Sequence, residues 1–145
     1  MFSRRGFNIE SLAVGTCEEP DMSRITIVVN GDDTVVEQVM KQTNKLIDVI
    51  KVSDLTERES VERELALIKV AAEPGTSRAE ILQIADIFRA QVVDVGTKTL
   101  VLQVAGDTEK IDALEKLLRQ YGIKELVRTG KIAILRGSKT VKSSK

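Results

Sequence analysis

Apolar residues recur at helical spacing in three places along the chain. Val36, Val39, Met40, Thr43 and Ile47 share one face, as do Ile81, Ile84, Ala85 and Phe88, and again Ile111, Leu114, Leu118 and Tyr121. Each set predicts an amphipathic helix. Thr34-Val35-Val36-Glu37 and Ser77-Arg78-Ala79-Glu80 place a hydroxyl and a carboxylate three residues apart at the first two starts, and Asp107 can cap the third. Between the helices lie runs rich in branched residues, which predict strands over Phe7 to Val14, Met22 to Val29, Val49 to Asp54, Leu65 to Ala71, Gln91 to Val95, Thr99 to Val104 and Ile123 to Leu135. Runs as continuous as Ile25-Thr26-Ile27-Val28-Val29 suit a sheet with one face covered by helices and the other open to a partner.

From Leu65 the order is strand, helix, strand, strand, helix, strand, the split-βαβ or ferredoxin-like unit. Val29-Asn30-Gly31-Asp32 opens one helix, and Val104-Ala105-Gly106-Asp107 opens another 75 residues further on, so the fold is expected to be α+β with two tandem units. The second copy runs from Leu65 to a helix ending at Phe88, whereas the matching helix end in the first copy is Phe2. About twenty residues, an opening strand and most of a helix, are therefore expected to lack a counterpart in the first copy. The predicted organisation is a first unit over residues 1–56, a charged linker over 57–63, a second ferredoxin-like unit over 64–137 and a basic, disordered tail over 138–145.

Composition narrows the chemistry. Lysine plus arginine (22) equals aspartate plus glutamate (22), and aromatics make up 3% with no tryptophan, which argues against nucleic acid and anionic membranes as partners. No apolar run reaches the roughly 18 residues of a membrane helix. The residues around Met1-Phe2-Ser3-Arg4-Arg5 do not form a signal peptide, and one cysteine permits no intrachain disulfide, so a soluble protein of a reducing compartment is expected. There is no histidine, hence neither the usual general base nor the commonest metal ligand, and no phosphate-binding or nucleophile-elbow motif. No catalytic residue and no metal ligand is assigned. Carboxylates such as those of Glu109-Lys110 and Glu115-Lys116 read as solvated helix faces.

The densest candidate site is Arg4-Arg5-Gly6-Phe7-Asn8-Ile9-Glu10-Ser11-Leu12. Arg4, Arg5 and Gly6 suit a helix C-terminus with a left-handed cap. Asn8 enters a strand between two apolar residues, where an amide needs a partner; it can serve a ligand carboxylate and ammonium, or satisfy a turn. Cys17, beside Glu18-Glu19-Pro20-Asp21, reads as a small buried or edge residue rather than a nucleophile.

The same wording resembles a known family. Arg4 through Gly15, Ser23-Arg24-Ile25-Thr26-Ile27-Val28-Val29 and Gln42 to Val52 ending in Val49-Ile50-Lys51-Val52 are similar to the regulatory small subunit of acetolactate synthase. So are Val61-Glu62-Arg63-Glu64-Leu65, Phe88-Arg89-Ala90-Gln91-Val92-Val93-Asp94-Val95 and Arg128-Thr129-Gly130-Lys131-Ile132-Ala133. The resemblance implies an N-terminal ACT domain that senses amino acids, here without its opening strand, the effector loop after it and most of its first helix, followed by a second ferredoxin-like domain. It also implies a non-catalytic subunit of branched-chain amino acid (valine, isoleucine, leucine) biosynthesis, homodimeric through the ACT domain, that activates a catalytic subunit and mediates valine feedback. Thiamine diphosphate, magnesium and FAD belong by that resemblance to the catalytic subunit, with no cofactor in this chain. Asn8 and Ile9 match one side of the valine site, and the location implied is the cytoplasm, or the plastid stroma in a photosynthetic eukaryote. Two other readings stand beside it: an ACT-type sensor for another enzyme, and a small ferredoxin-like hydrolase using Arg4, Arg5 and Asn8.

Overall fold

The computed structural model describes residues 8–45, 53–56 and 58–140. The expectations placed on Phe2, Arg4, Arg5, Gly6, Phe7, Ile47, Val49 to Val52 and the end of the tail at 141–145 lie outside those residues. The chain divides into two compact units, Met1–Glu62 with Lys131–Lys145, and Arg63–Gly130.

In the first unit, β1 (Asn8–Thr16) and β2 (Ser23–Asn30) pair antiparallel, followed by α1 (Asp33–Asn44). Helix α1 begins two residues earlier than a Thr34 cap would allow, because the Asp32 carboxylate accepts the Val35 amide at 3.1 Å. Aspartate is the stronger N-cap of the two, and its carboxylate takes the free amides before the hydroxyl can. Thr43 spends its hydroxyl on the Val39 carbonyl at 2.7 Å, and Val39 is buried. Ser53 and Asp54, the described end of the predicted strand over Val49 to Asp54, are not in a strand; Asp54 instead accepts from the Thr56 amide at 2.9 Å.

The second unit runs β3 (Ser60–Ala71), α2 (Arg78–Ile87), β4 (Gln91–Val95), β5 (Thr99–Gly106), α3 (Thr108–Leu118), a 3-10 turn over Arg119–Tyr121, and β6 (Ile123–Arg128). The strand order is β4-β5-β3-β6, antiparallel throughout, which is the ferredoxin-like arrangement expected from the element order. Alternation sets its core. Ala66, Ile68 and Val70 of β3 and Leu100, Leu102 and Val104 of β5 face Ile81 and Ala85 of α2 and Ile111, Leu114 and Leu118 of α3, all buried. Each such leucine or isoleucine contributes about 1.5–3 kcal/mol relative to exposure.

Helix α2 departs from its predicted start. Ser77 makes no side-chain cap bond; its hydroxyl accepts the Glu73 amide at 3.3 Å, while Arg78 donates to the carbonyls of Ala72, Gly96 and Thr97 at 3.1 Å or less. The helix ends in a Schellman motif, with Arg89 in the left-handed region at φ 56°, its amide on Asp86 and the Ala90 amide on the Ala85 carbonyl at 2.8 Å. Asp107 caps α3 as expected, accepting the Lys110 amide at 2.9 Å.

The repeat is visible atom by atom at the two helix starts. Asp32 and Asp107 each hold the amide three residues on, and a Cβ added to Gly31 or Gly106 would lie 2.6 Å from Val35 or 2.5 Å from Lys110. Strand and helix approach so closely there that only glycine fits without a shift.

One strand boundary needs correction. The predicted strand over Ile123 to Leu135 is two strands, β6 and β7 (Ile132–Leu135), broken where Gly130 takes φ 88°. Within the segment expected as a linker over 57–63, β3 begins at Ser60, and by contacts residues 131–137 group with the first unit. The cause is β7: it pairs with β3, Arg136 donates its amide to the Glu59 carbonyl at 3.1 Å, and Lys131 meets Glu62 at 3.3 Å. A charged segment becomes strand when a distant strand satisfies its backbone. Arg24 of β2 also reaches β7, donating to the Ala133 carbonyl at 2.8 Å.

Candidate functional site

The β1–β2 register puts Asn8 opposite Asn30 and Ile9 opposite Val29; Ser11 then pairs with Val28, so Glu10 is an extra residue in a β-bulge. Bulges re-aim side chains and concentrate beside functional sites. Asn8, Glu10 and Asn30 are exposed, while Ile9 and Val29 are half-buried. Two amide side chains therefore stand side by side at one end of the hairpin, next to the Gly31-Asp32 turn that starts α1.

The sequence argument that Asn8 must be bonded because apolar residues flank it does not hold. Its side chain is exposed and has no hydrogen-bond partner among the described residues, so no burial penalty arises. What remains is capacity: a carboxamide donates through its nitrogen and accepts through its oxygen, which suits a ligand carrying a carboxylate and an ammonium. Asn30 escaped the sequence reading, although its place just before Gly31-Asp32 was the available signal. Arg4 and Arg5, which the hydrolase reading requires beside Asn8, lie outside the described residues.

The second unit repeats the pattern with a shift. Gln91 opposes Gln103, their amides bond at 3.4 Å, Val92 opposes Leu102, and Val93 is the bulged residue. There the amide pair sits three residues before Gly106 rather than one before Gly31, away from the helix start.

A second cluster was not anticipated. Glu64, on the helix-facing side of β3, is 8% exposed; it accepts from Arg128 at 2.7 Å and from the Gly130 amide at 3.1 Å. Arg128 also bonds Asp112 at 2.6 Å and approaches Glu115 at 3.5 Å. These carboxylates hold the guanidinium well above its ordinary pKa, the Glu64 hydrogen bond foremost. Glu115, expected on a solvated face, is instead largely covered between Arg128 and Arg119. Thr129 completes the anchor: its amide donates to the Leu65 carbonyl at 3.0 Å and its hydroxyl accepts the Leu65 amide at 3.1 Å. The cluster fixes the end of β6 against β3, and its groups are all engaged with one another.

Cys17 lies half-buried in the β1–β2 connection, its thiol 3.7 Å from the Met22 carbonyl and 3.9 Å from that of Glu19. Among the described residues no group of three or more acidic, cysteine or histidine side chains could hold a metal ion, and no helix is long and apolar enough to cross a membrane.

A complete ferredoxin-like unit preceded by a related hairpin-and-helix unit places the chain in the α+β, ferredoxin-like class. Comparison with known proteins agrees in both parts. Residues 1–51 match the AHAS small subunit-like ACT domain, and residues 63–137 match the small subunit of acetolactate synthase. The chain is 60% identical to the probable acetolactate synthase small subunit of Archaeoglobus fulgidus, over 96% of this chain and 86% of that one. It is 50% identical to the acetolactate synthase small subunit of Mycolicibacterium smegmatis, over 100% of this chain and 85% of the relative. The crystal structure of the acetolactate synthase small subunit from Thermotoga maritima superposes with a TM-score of 0.83 at 42% identity, covering 94% of this chain and 85% of that one. The chain belongs to the acetolactate synthase small-subunit family.

Proposed function

We propose that this chain is the non-catalytic regulatory subunit of an acetolactate synthase, and that it binds and activates the catalytic subunit and carries its valine feedback. Family membership supports the first part, since both stretches of the chain match small-subunit models. The observation that carries the feedback reading is the exposed Asn8 amide, standing beside Asn30 at the β1 bulge with no bond of its own among the described residues. A buried amino acid needs both its charged groups bonded, and a free carboxamide on a rigid hairpin supplies an acceptor for the ammonium or a donor for the carboxylate. Half-buried Ile9 offers apolar contact next to it.

In this reading the site is two-sided, with Asn8 and Ile9 on one side and a second protomer completing it across an ACT-domain homodimer. Thiamine diphosphate, magnesium and FAD are carried by the catalytic subunit, which performs the condensation of 2-oxo acids. The complex works in the cytoplasm, in valine, leucine and isoleucine synthesis.

The test combines the purified chain with its cognate catalytic subunit and follows acetolactate formation from pyruvate. The chain alone should form none, the pair should exceed the catalytic subunit alone, and valine should lower the rate of the pair. Asn8→Ala removes one charge-assisted bond of about 1.5–3 kcal/mol, so the valine concentration for half inhibition should rise by roughly one to two decades while activation is kept. Undiminished valine inhibition in Asn8→Ala would place the effector elsewhere, and no stimulation by the unmodified chain would refute the partnership.

A further inference from the structure

Asn30 closes β2 opposite Asn8, and nothing within the fold accounts for its side chain. Asparagine is disfavoured in strands and is ordinarily found where it takes a positive φ, caps a helix or bonds a nearby backbone group. None of these applies to Asn30. Its backbone is strand, and the non-glycine residues with positive φ are Asp21 and Arg89. Asp32 caps α1 in its place, and the exposed Asn30 carboxamide has no partner among the described residues. Directly opposed residues of an antiparallel pair project from one face with Cβ atoms about 4.5–5.5 Å apart, so Asn8 and Asn30 offer two free carboxamides to the same small group. The opposed amides of the second unit, Gln91 and Gln103, bond each other at 3.4 Å instead.

We propose that Asn30 is a second recognition residue of the effector site, its amide oxygen accepting the ligand's ammonium while Asn8 donates to the carboxylate. The inference rests on the effector reading above and extends it to the class of ligand, an α-amino acid as against the 2-oxo or 2-hydroxy acid of the same skeleton. A regulator attached to an enzyme of 2-oxo acids meets molecules that share the effector's carboxylate and side chain, and only a contact to the ammonium excludes them. Local charge favours this assignment. Asp32 follows Asn30 by two residues, within about 7 Å along the chain, and is exposed. Its full negative charge exceeds the roughly half positive charge of the helix start that it caps. Glu10 adds a second exposed carboxylate at this end of the hairpin, so the field beside Asn30 attracts a cation. Asn8 carries no charge and keeps a free amide donor for the carboxylate.

The test follows inhibition of the reconstituted complex by valine and by the 2-hydroxy acid of the same skeleton, which replaces the ammonium with a hydroxyl. The unmodified complex should respond to valine at roughly ten- to hundredfold lower concentration, the contribution of one charge-assisted bond. Asn30→Ala should raise the valine concentration for half inhibition by about that factor and change the hydroxy-acid response much less, so the preference collapses. Asn30→Asp keeps an acceptor and should retain the preference. Asn8→Ala should weaken both ligands alike, and Gln103→Ala, in the second unit's amide pair, should change neither. Activation of the catalytic subunit and thermal unfolding should be the same in every variant. A structural role for Asn30 would move both ligands together. Equal losses for the two ligands in Asn30→Ala, or no loss in a variant series where Asn8→Ala still responds, overturn the inference and leave the effector reading standing. A complex that valine does not inhibit overturns the effector reading and this inference with it.

Discussion

Replacing Arg128 by alanine should cost more than any other single loss of a charged side chain described above. Glu64 is 8% exposed and Arg128 supplies its cationic partner at 2.7 Å; without it, only the Gly130 amide at 3.1 Å still holds the carboxylate. Removing one member of a buried pair typically costs about 3–5 kcal/mol, because the other charge stays behind in a poorly solvated place. The Arg128 side chain is 24% exposed, so water reaches part of the gap, and about 2–4 kcal/mol is the discounted expectation. Arg119, 68% exposed and paired with Glu115 one turn away, should cost only about 0.5 kcal/mol when truncated. Urea unfolding of the full chain, read through hydrogen exchange at the β3 and β5 amides, measures the second unit directly. Glu64→Gln keeps an acceptor for Gly130 and removes the stranded charge, so the double variant Glu64→Gln with Arg128→Ala should recover part of the loss. A cost for Arg128→Ala no larger than that for Arg119→Ala would refute the reasoning, showing that water already solvates Glu64.

The two matched helix starts make a paired prediction. An added methyl at Gly31 meets the branched Cβ of Val35 at 2.6 Å, whereas at Gly106 it meets the flexible Cδ of Lys110 at 2.5 Å. Gly31→Ala should therefore cost about 1–3 kcal/mol and Gly106→Ala less than about 1, as thermal unfolding of the two variants would show. Equal costs would mean that Val35 can move aside. Arg89 holds φ 56° at the end of α2, a conformation glycine adopts freely, so Arg89→Gly should stabilise the chain by about 0.5–1 kcal/mol in the same assay. Destabilisation would show that the Arg89 side chain makes a larger contribution than its backbone strain.

Much of this architecture was legible along the chain because its signals are local. Ile81 with Ala85, and Ile111 with Leu114 and Leu118, fall one helical turn apart, and the same periodicity that names the helices names their buried faces. Val104-Ala105-Gly106-Asp107 repeats Val29-Asn30-Gly31-Asp32 because a strand closing tightly on a helix start needs glycine and then a cap in either unit. Asn8 and Ile9 could be singled out as polar and apolar neighbours in a strand run, and the family resemblance could attach a role to them. The tertiary structure decided what depends on distant partners. Ser60–Arg63 is strand because β7, some seventy residues later, pairs with β3, and nothing in a charged heptapeptide announces that. Glu64 is buried because Arg128 and the Gly130 amide reach it, an arrangement that exists only once β6 has docked beside β3. The exposure of Asn8, its pairing with Asn30 and the bulge at Glu10 follow from register, and register is set by the whole hairpin rather than by any residue in it.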